Sequence, residues 1–356
     1  MPASLFDISQ ATGFSVATVS RVLSNSDYPV RDSTRIHILE AAEKMGYRPN
    51  LTARSLRTDR TETIGIVVDD IMSPFVPSIV RGIQDCLAGH GLSSLLVNAD
   101  WDPERERAAI DNLLSRSVDG IIFAEYSHRA EHTGLEQSGT PHVFVHRLFG
   151  TPIYNSVVPD DKYGAALAVR HLIDLGHRRI GFVTGPETWH NAHSRLVGYR
   201  EELEAHDIGY EPALVQPGDW EFDSGYMAGA AFTALELPPT AVFAANDLMA
   251  LGLIHALQDA GRNVPDDMAV VGYDDRDFTR VFRPRLTTVY MPVYEMGQKA
   301  AEMLVDQIGG NAPMEEVKVQ GWLVVRESCG ADSGMRSGED ALDSVSLRRL
   351  LITQRL

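Results

Sequence analysis

The sequence predicts an α/β protein in two parts: a small helical headpiece with a hinge helix behind it, and a large part of two doubly wound lobes. Three observations carry that expectation. At 356 residues the chain is too long for one ordinary core. Its first sixty residues read as short capped helices, and from Thr63 onward apolar runs of strand length alternate with helical stretches. Charge divides at the same place: residues 1–60 hold eight Lys or Arg against six acids, while the rest holds 24 against 43, within a net charge of -17. That asymmetry is expected when only one end of a chain meets phosphate.

Composition narrows the field further. Apolar residues at 44% and charged residues at 23% are the balance of a folded chain. Met1-Pro2-Ala3-Ser4 lacks the basic and long apolar regions of a secretory signal, and runs such as "IGIVV" are too short to span a bilayer, so a cytoplasmic protein without membrane contact is expected. Cys86 and Cys329 lack metal-ligand spacing and a disulfide framework. No catalytic residue, metal or cofactor is assigned: the twelve His are scattered, no Gly-rich dinucleotide fingerprint follows a strand, and no Ser stands in a nucleophile elbow.

In the headpiece, Ser4 can cap a helix with Asp7 at its positive end; Leu5, Ile8 and Ala11 recur along it, and Gly13 ends it. Ser15 can cap a second helix, "VATVSRVL". A third, from about Asp32 to Met45, turns Ile36, Leu39, Ala42 and Met45 inward. Two short helices around a Gly-containing turn make the helix-turn-helix pattern. In the second helix Val19 and Val22 face inward, leaving Val16, Ala17, Ser20 and Arg21 outside. Small side chains and one arginine suit a helix deep in a major groove, where Arg21 can fork onto guanine and Val16 or Ala17 can touch a thymine methyl. Thr18 and Ser20 suit phosphate or sugar, with Ser15 completing the set that faces DNA. A three-helix bundle without nucleic acid would show the same periodicity.

"YRPNLTARSLR" opens with a Pro that stops the third helix, and Asn50 can cap two more turns. Isolated helices below ~12 residues are marginal in water, so this one needs a partner. Its own copy across a dimer axis, docked in a minor groove, would serve, with Leu56 as a wedge between base steps and Arg54 and Arg57 near phosphate.

With "DISQATGFSVATVSRVL", "AAEKMGYRPNLTARSLR" and "TIGIVV" in this order, the chain resembles the lactose/galactose repressor (LacI/GalR) family of bacterial transcription regulators, from about Leu5 to Ser328. The resemblance implies a homodimer on a pseudo-palindromic double-stranded operator, with Asn50, Ala53, Arg54, Ser55, Leu56 and Arg57 in a hinge helix that folds on DNA. Arg31 stands at a cap position where the family often has Ser, which leaves Asp32 or Ser33 to cap the third helix.

The large part alternates "TIGIVV", a helix over about 74–89, "SSLLVN", "DPERERAAIDNLLSR", "VDGIIFA" and "HVFVH". The alternation restarts with "KYGAALAVRHLIDLG" and runs through "RIGFVTG", "AVFAAND" and "MAVVGYD", making a second parallel, doubly wound unit. By resemblance the fold is like that of periplasmic sugar-binding proteins, and the chain crosses between lobes near Asp160, Met291 and Gln320. The division is then a headpiece over 1–49, a hinge over 50–60, two lobes over 61–330 and a tail over 331–356. Lobe 1 covers about 61–160 and 291–320; lobe 2 covers about 161–290 and 321–330.

Open α/β sheets bind ligands beyond their carboxyl strand ends. "GDW" places Trp220 there, "AND" places Asn246 and Asp247, "GYDD" places Tyr273 and Asp274, and Arg195 precedes "LVGY" on a helix. An aromatic face, a guanidinium, an amide and a carboxylate suit the ring and neighbouring hydroxyls of a sugar. Plainer readings stand beside this one: Asn246 or Asp247 as the cap of the helix, with Asp247 preferred, Trp220 as core, Arg195 and Asp274 as a structural ion pair, and Asp275 with Asp277 as a solvated loop. By resemblance Arg195, Trp220, Asn246 and Asp274 contact a small-molecule effector and Phe75 stacks on it. His146 stands where the family commonly carries an acid, and a neutral imidazole both donates and accepts.

The resemblance therefore implies a sugar-responsive repressor, with induction and co-repression equally open. One alternative is a global regulator that takes a phosphocarrier protein as co-effector; another is a solute-binding protein with a helical N-terminus. After Glu327 the chain turns Gly- and Ser-rich, and "ALDSVSLRRLLITQRL" could form a helix through which some family members make tetramers.

Overall fold

The computed structural model describes residues 3–24, 28–48, 55, 60–124, 138–147, 154–310 and 314–331. They fall into two compact units that divide after Glu62.

The first unit holds α1 (Leu5–Thr12), α2 (Val16–Leu23) and α3 (Asp32–Lys44). Ser4 and Asp7 close a reciprocal capping box on α1, and Gly13 ends it at φ 74°, a left-handed conformation that costs glycine least. Ser15 caps α2 by accepting from the Thr18 N–H. Ile8, Val19, Val22, Ile38 and Ala42 form the core. Here the periodicity misleads: Ile36, Leu39 and Met45 are exposed, as is Ala11, and α3 buries Ile38 and Ala42. Apolar residues lie on more than one side of α3, so its phase is set by which pair meets Val19 and Val22. Neither Asp32 nor Ser33 caps α3; Arg31 is its N-cap residue and contributes no side-chain bond.

The second unit contains two six-stranded sheets. The first is formed by β1 (Thr63–Val68), β2 (Ser93–Asn98), β3 (Gly120–Ala124), β4 (His142–Val145), β5 (Ser156–Pro159) and β11 (Glu316–Val319), in the order β11-β5-β4-β3-β1-β2. Its helices are α4 (Val76–Gly89), α5 (Pro103–Ser115) and α10 (Val293–Ile308), with α10 packed on α4. The second is formed by β6 (Ile180–Val183), β7 (Val215–Gln216), β8 (Ala241–Ala244), β9 (Ala269–Asp274), β10 (Thr287–Tyr290) and β12 (Trp322–Val324), in the order β12-β10-β9-β8-β6-β7. Its helices are α6 (Asp161–Asp174), α7 (His190–Ala205), α8 (Phe222–Thr233) and α9 (Asp247–Asp259). All pairings are parallel except that of β12 with β10.

"TIGIVV" is continuously apolar because both faces of β1 are covered: Ile64, Ile66 and Val68 join the core shared by the lobes, while Val67 joins a separate cluster with Ile110, Leu113 and Phe144. The chain leaves the first sheet between β5 and α6, returns between β10 and α10, and crosses again between β11 and β12. The carboxyl ends of the strands are thereby left to loops that carry polar residues. Among the described residues no helix is long and apolar enough to cross a membrane.

Candidate functional site

Arg195, in the second turn of α7, is buried and sits at the centre of the site. Its Nε and Nη2 both lie 2.8 Å from Asp161 Oδ1, and its Nη1 donates to the Ala245 carbonyl. The guanidinium carbon stands 3.6 Å from the centre of the Tyr273 ring and 5.6 Å from that of Trp220. Asp274 Oδ1 is 3.9 Å from Nη1, an ion-pair distance too long for a hydrogen bond. Of the plainer readings, the Arg195–Asp274 ion pair is present at 3.9 Å, but the closer partner of Arg195 is Asp161.

Trp220 follows β7 and is half-buried, its edge 6.0 Å from Trp189 between ring centres. Its indole N–H is buried without a hydrogen-bond partner, so packing alone holds the ring. Gly185 makes that packing possible, since a Cβ there would come within 2.2 Å of the indole. Asn246, not Asp247, caps α9: its Oδ1 accepts from the Met249 N–H at 2.8 Å, and its Nδ2 donates to the Trp220 carbonyl at 2.8 Å. The cap itself needs only an acceptor; the second bond, to the Trp220 carbonyl, needs the amide donor that a carboxylate lacks. Asp247 is fully buried instead, accepting from Thr288 Oγ1 at 2.5 Å and from the Arg276 N–H at 2.8 Å.

Four non-glycine residues here hold positive φ: His146 at 71°, Trp220 at 74°, Asp274 at 113° and Asp275 at 56°. Such backbone persists only where surrounding bonds over-determine it. Asn246 holds Trp220. Asp275 is held by Arg326, 2.5 Å from Oδ1, and by Arg280, 3.1 Å from Oδ2. The acidic loop after β9 is therefore tied down at Asp275 rather than solvated there.

Burial raises Asp274 to about 7, with Arg195 and Arg276 only partly offsetting it, and raises the neighbouring Asp247 as well. Burial also raises Asp161 against the pull of Arg195. Burial opposes charge on Arg195, but Asp161, Tyr273 and Asp274 keep it firmly protonated. His146, just beyond β4 in the other lobe, is lowered to about 3 by burial and by Arg195, and is neutral at ordinary pH. Its Nε2 lies 3.4 Å from Met291 Sδ. Phe75 is the N-cap residue of α4 and packs partly buried against the shared core.

The structure thus brings Arg195, Trp220, Asn246, Tyr273, Asp274 and His146 together and adds Asp161. "PDDKYG" gave one usable signal for Asp161, an acid at a crossing and helix start, but its partner lies 34 residues away.

In the headpiece, Ser15, Val16, Ala17 and Arg21 are exposed, while Thr18 and Ser20 are half-buried. The Ser15 and Thr18 hydroxyls lie 2.9 Å apart and bond to each other. Arg21 lies 4.1 Å over the ring of Tyr28, a partner outside the helix periodicity. Asn50, Ala53, Arg54, Leu56 and Arg57 lie outside the described residues; Ser55 is described, in helical conformation. The tail helix also lies outside them, and among the described residues no group of three or more potential ligands is placed to hold a metal ion.

A helix-turn-helix headpiece with Val16, Ala17 and Arg21 exposed, in one chain with a two-lobed module that gathers buried polar groups near the carboxyl ends of its strands, is the make-up of a ligand-responsive DNA-binding regulator. The family described as bacterial regulatory proteins, lacI family, matches residues 4–50, and a periplasmic binding protein-like domain matches residues 169–329. Catabolite control protein A of Priestia megaterium is 36% identical over 306 residues, 85% of this chain and 92% of that protein. A lac repressor dimer bound to operator and the anti-inducer ONPF has a TM-score of 0.79 at 29% identity, covering 93% of this chain and 100% of that one. The transcriptional regulator CelR in complex with cellobiose has a TM-score of 0.68 at 33% identity, covering 92% and 99%. The chain belongs to the lacI family of bacterial regulatory proteins, whose members are non-enzymatic regulators of transcription. A solute-binding protein with an incidental helical N-terminus is set aside by the match over residues 4–50.

Proposed function

We propose that this chain is a cytoplasmic homodimeric repressor whose affinity for a pseudo-palindromic operator is set by a small sugar or sugar-like effector in the cleft. The observation that carries the reading is the grouping of Arg195, Asp274, Asn246 and Trp220 at carboxyl strand ends of one lobe, with neutral His146 reaching Arg195 from the other. A guanidinium N–H and a carboxylate oxygen 3.9 Å apart can share one hydroxyl, donating to it and accepting from it. The indole offers the flat face for a ring.

In this reading α2 enters the major groove, Arg21 reads a base, and the 50–57 hinge pairs with its copy. Effector in a cleft between lobes shifts their relative orientation and thus the spacing of the hinges. Coupling of this kind is typically ~1–3 kcal/mol and extends only as far as the effector prefers one state. A gel shift against DNA upstream of the gene, with and without ligand released from purified protein and identified by mass spectrometry, tests the reading. Binding to one palindromic site over random DNA is expected, changed by that ligand. Leu56→Ala is expected to weaken operator binding at fixed salt and leave ligand binding intact; unchanged operator affinity would remove the wedge.

A further inference from the structure

Asp161 is the first residue of α6, is buried, and supplies the counter-charge that Arg195 touches. A guanidinium has five N–H donors. Nε donates to Asp161 Oδ1, Nη2 stands 2.8 Å from the same oxygen, and Nη1 donates to the Ala245 carbonyl. Each Nη keeps at least one further hydrogen. Asp274 stands just beyond their reach at 3.9 Å, and a two-bond Arg–carboxylate pair would use one donor of each Nη and both carboxylate oxygens. Those are the groups a hydroxylated ligand would need.

The other buried charges near by are committed elsewhere. Asp247 accepts from Thr288 and from the Arg276 N–H, and Asp275 is held by Arg326 and Arg280. His146, the group from the other lobe, is neutral and supplies no negative charge. The site is also built to keep Arg195 where Asp161 holds it. Tyr273 lies beneath the guanidinium, its ring centre 3.6 Å from the guanidinium carbon, and Gly164 leaves room for that ring, since a Cβ there would come within 2.5 Å of the phenol oxygen.

We propose that Asp161 is a positioning residue for effector recognition: by engaging the Nε–Nη2 edge of Arg195, it keeps Arg195 and Asp274 apart as a split donor–acceptor pair open to ligand hydroxyls. The proposal rests on the effector reading of the cleft. Without Asp161, Arg195 turns to Asp274 and the two close on each other.

The test uses the full-length chain with Asp161→Ala and the isosteric Asp161→Asn, and Arg195→Ala as the control for the cleft itself. Ligand-free crystal structures of both Asp161 variants are expected to show Arg195 and Asp274 at hydrogen-bond distance, about 3.2 Å or less. The carboxyl resonance of Asp274, identified by Asp274→Asn, is expected to titrate at least about one pH unit lower in Asp161→Asn, because a cation beside a carboxylate favours its charged form. Cellobiose and D-ribose serve as probes by tryptophan fluorescence. A probe that wild type binds should bind about tenfold to a hundredfold more weakly, as when the partner orienting a metal ligand is removed, with operator binding retained. Arg195 remaining more than 3.5 Å from Asp274 in the variant that folds would overturn the proposal. So would a probe lost by Arg195→Ala yet bound at wild-type strength by the Asp161 variants. A probe bound equally by all variants would instead sink the effector reading of Arg195, and if neither probe binds wild type, the crystal structures and the titration decide.

Discussion

Asp274 is where a single residue's chemistry reaches furthest. Its carboxyl ionises near 7 in the folded chain against 3.8 when unfolded, so folding retains a proton across that interval. A raised acid contributes fully below its unfolded value, and that contribution is lost as pH rises through the folded one. Asp274→Asn is therefore expected to stabilise the chain above pH 7 and to change little near pH 4. Urea unfolding at both pH values checks this; an equal effect at the two would remove Asp274 as the titrating group. In the headpiece, Arg21→Ala is expected to relax preference at one base pair per half-site by ~1–3 kcal/mol, and a uniform loss across sequences would make Arg21 a phosphate contact. Asn246 and Asp274 were legible because each sits at the carboxyl end of a strand where a loop or helix begins; Arg195, in the second turn of α7, was singled out by the resemblance. Asp161 was not legible, because what selects it is burial against a guanidinium 34 residues away, which local pattern does not record.

Among the elements, the start of α9 joins fold and site most directly. Asn246 caps the helix and fastens the carbonyl of Trp220 in a backbone conformation that indole residues rarely adopt. Asn246→Ala is expected to cost about 1–2 kcal/mol from the lost cap and lost bond, and to shift Trp220 emission as the ring gains freedom. Asn246→Asp would restore the cap but not the donor, so stability should recover in part while the emission shift persists. Emission returning to wild type in Asn246→Asp would show that the cap alone places Trp220. The opposite case is α3, where apolar residues on more than one side left the phase ambiguous. The choice fell on Ile38 and Ala42, which share one core with Ile8 of α1 and with Val19 and Val22 of α2.

At the scale of the whole molecule, apolar side chains stand exposed in both lobes among the described residues. Edge strand β2 exposes Leu95 and Leu96, and lobe 2 exposes Val281 and Phe282 beside His255. Members of this family act as dimers, and a second copy would cover such surfaces. Leu96→Lys is expected to move the sedimenting species from twice 39.2 kDa toward the single chain. Operator affinity should fall with it by at least about tenfold, since two linked headpieces bind far more tightly than one. A variant that stays dimeric would take β2 out of the interface. What the sequence alone determined is whatever local physics writes plainly: capped short helices, apolar strand runs covered on both faces, the change of charge after residue 60, and polar residues parked at strand ends. Tertiary structure decided the rest: which face of α3 is buried, that Asn246 rather than Asp247 caps α9, and that Asp161 rather than Asp274 holds Arg195. Those outcomes turn on contacts between residues far apart in the chain, and hydrogen-bond geometry and desolvation act only once packing has brought the groups together.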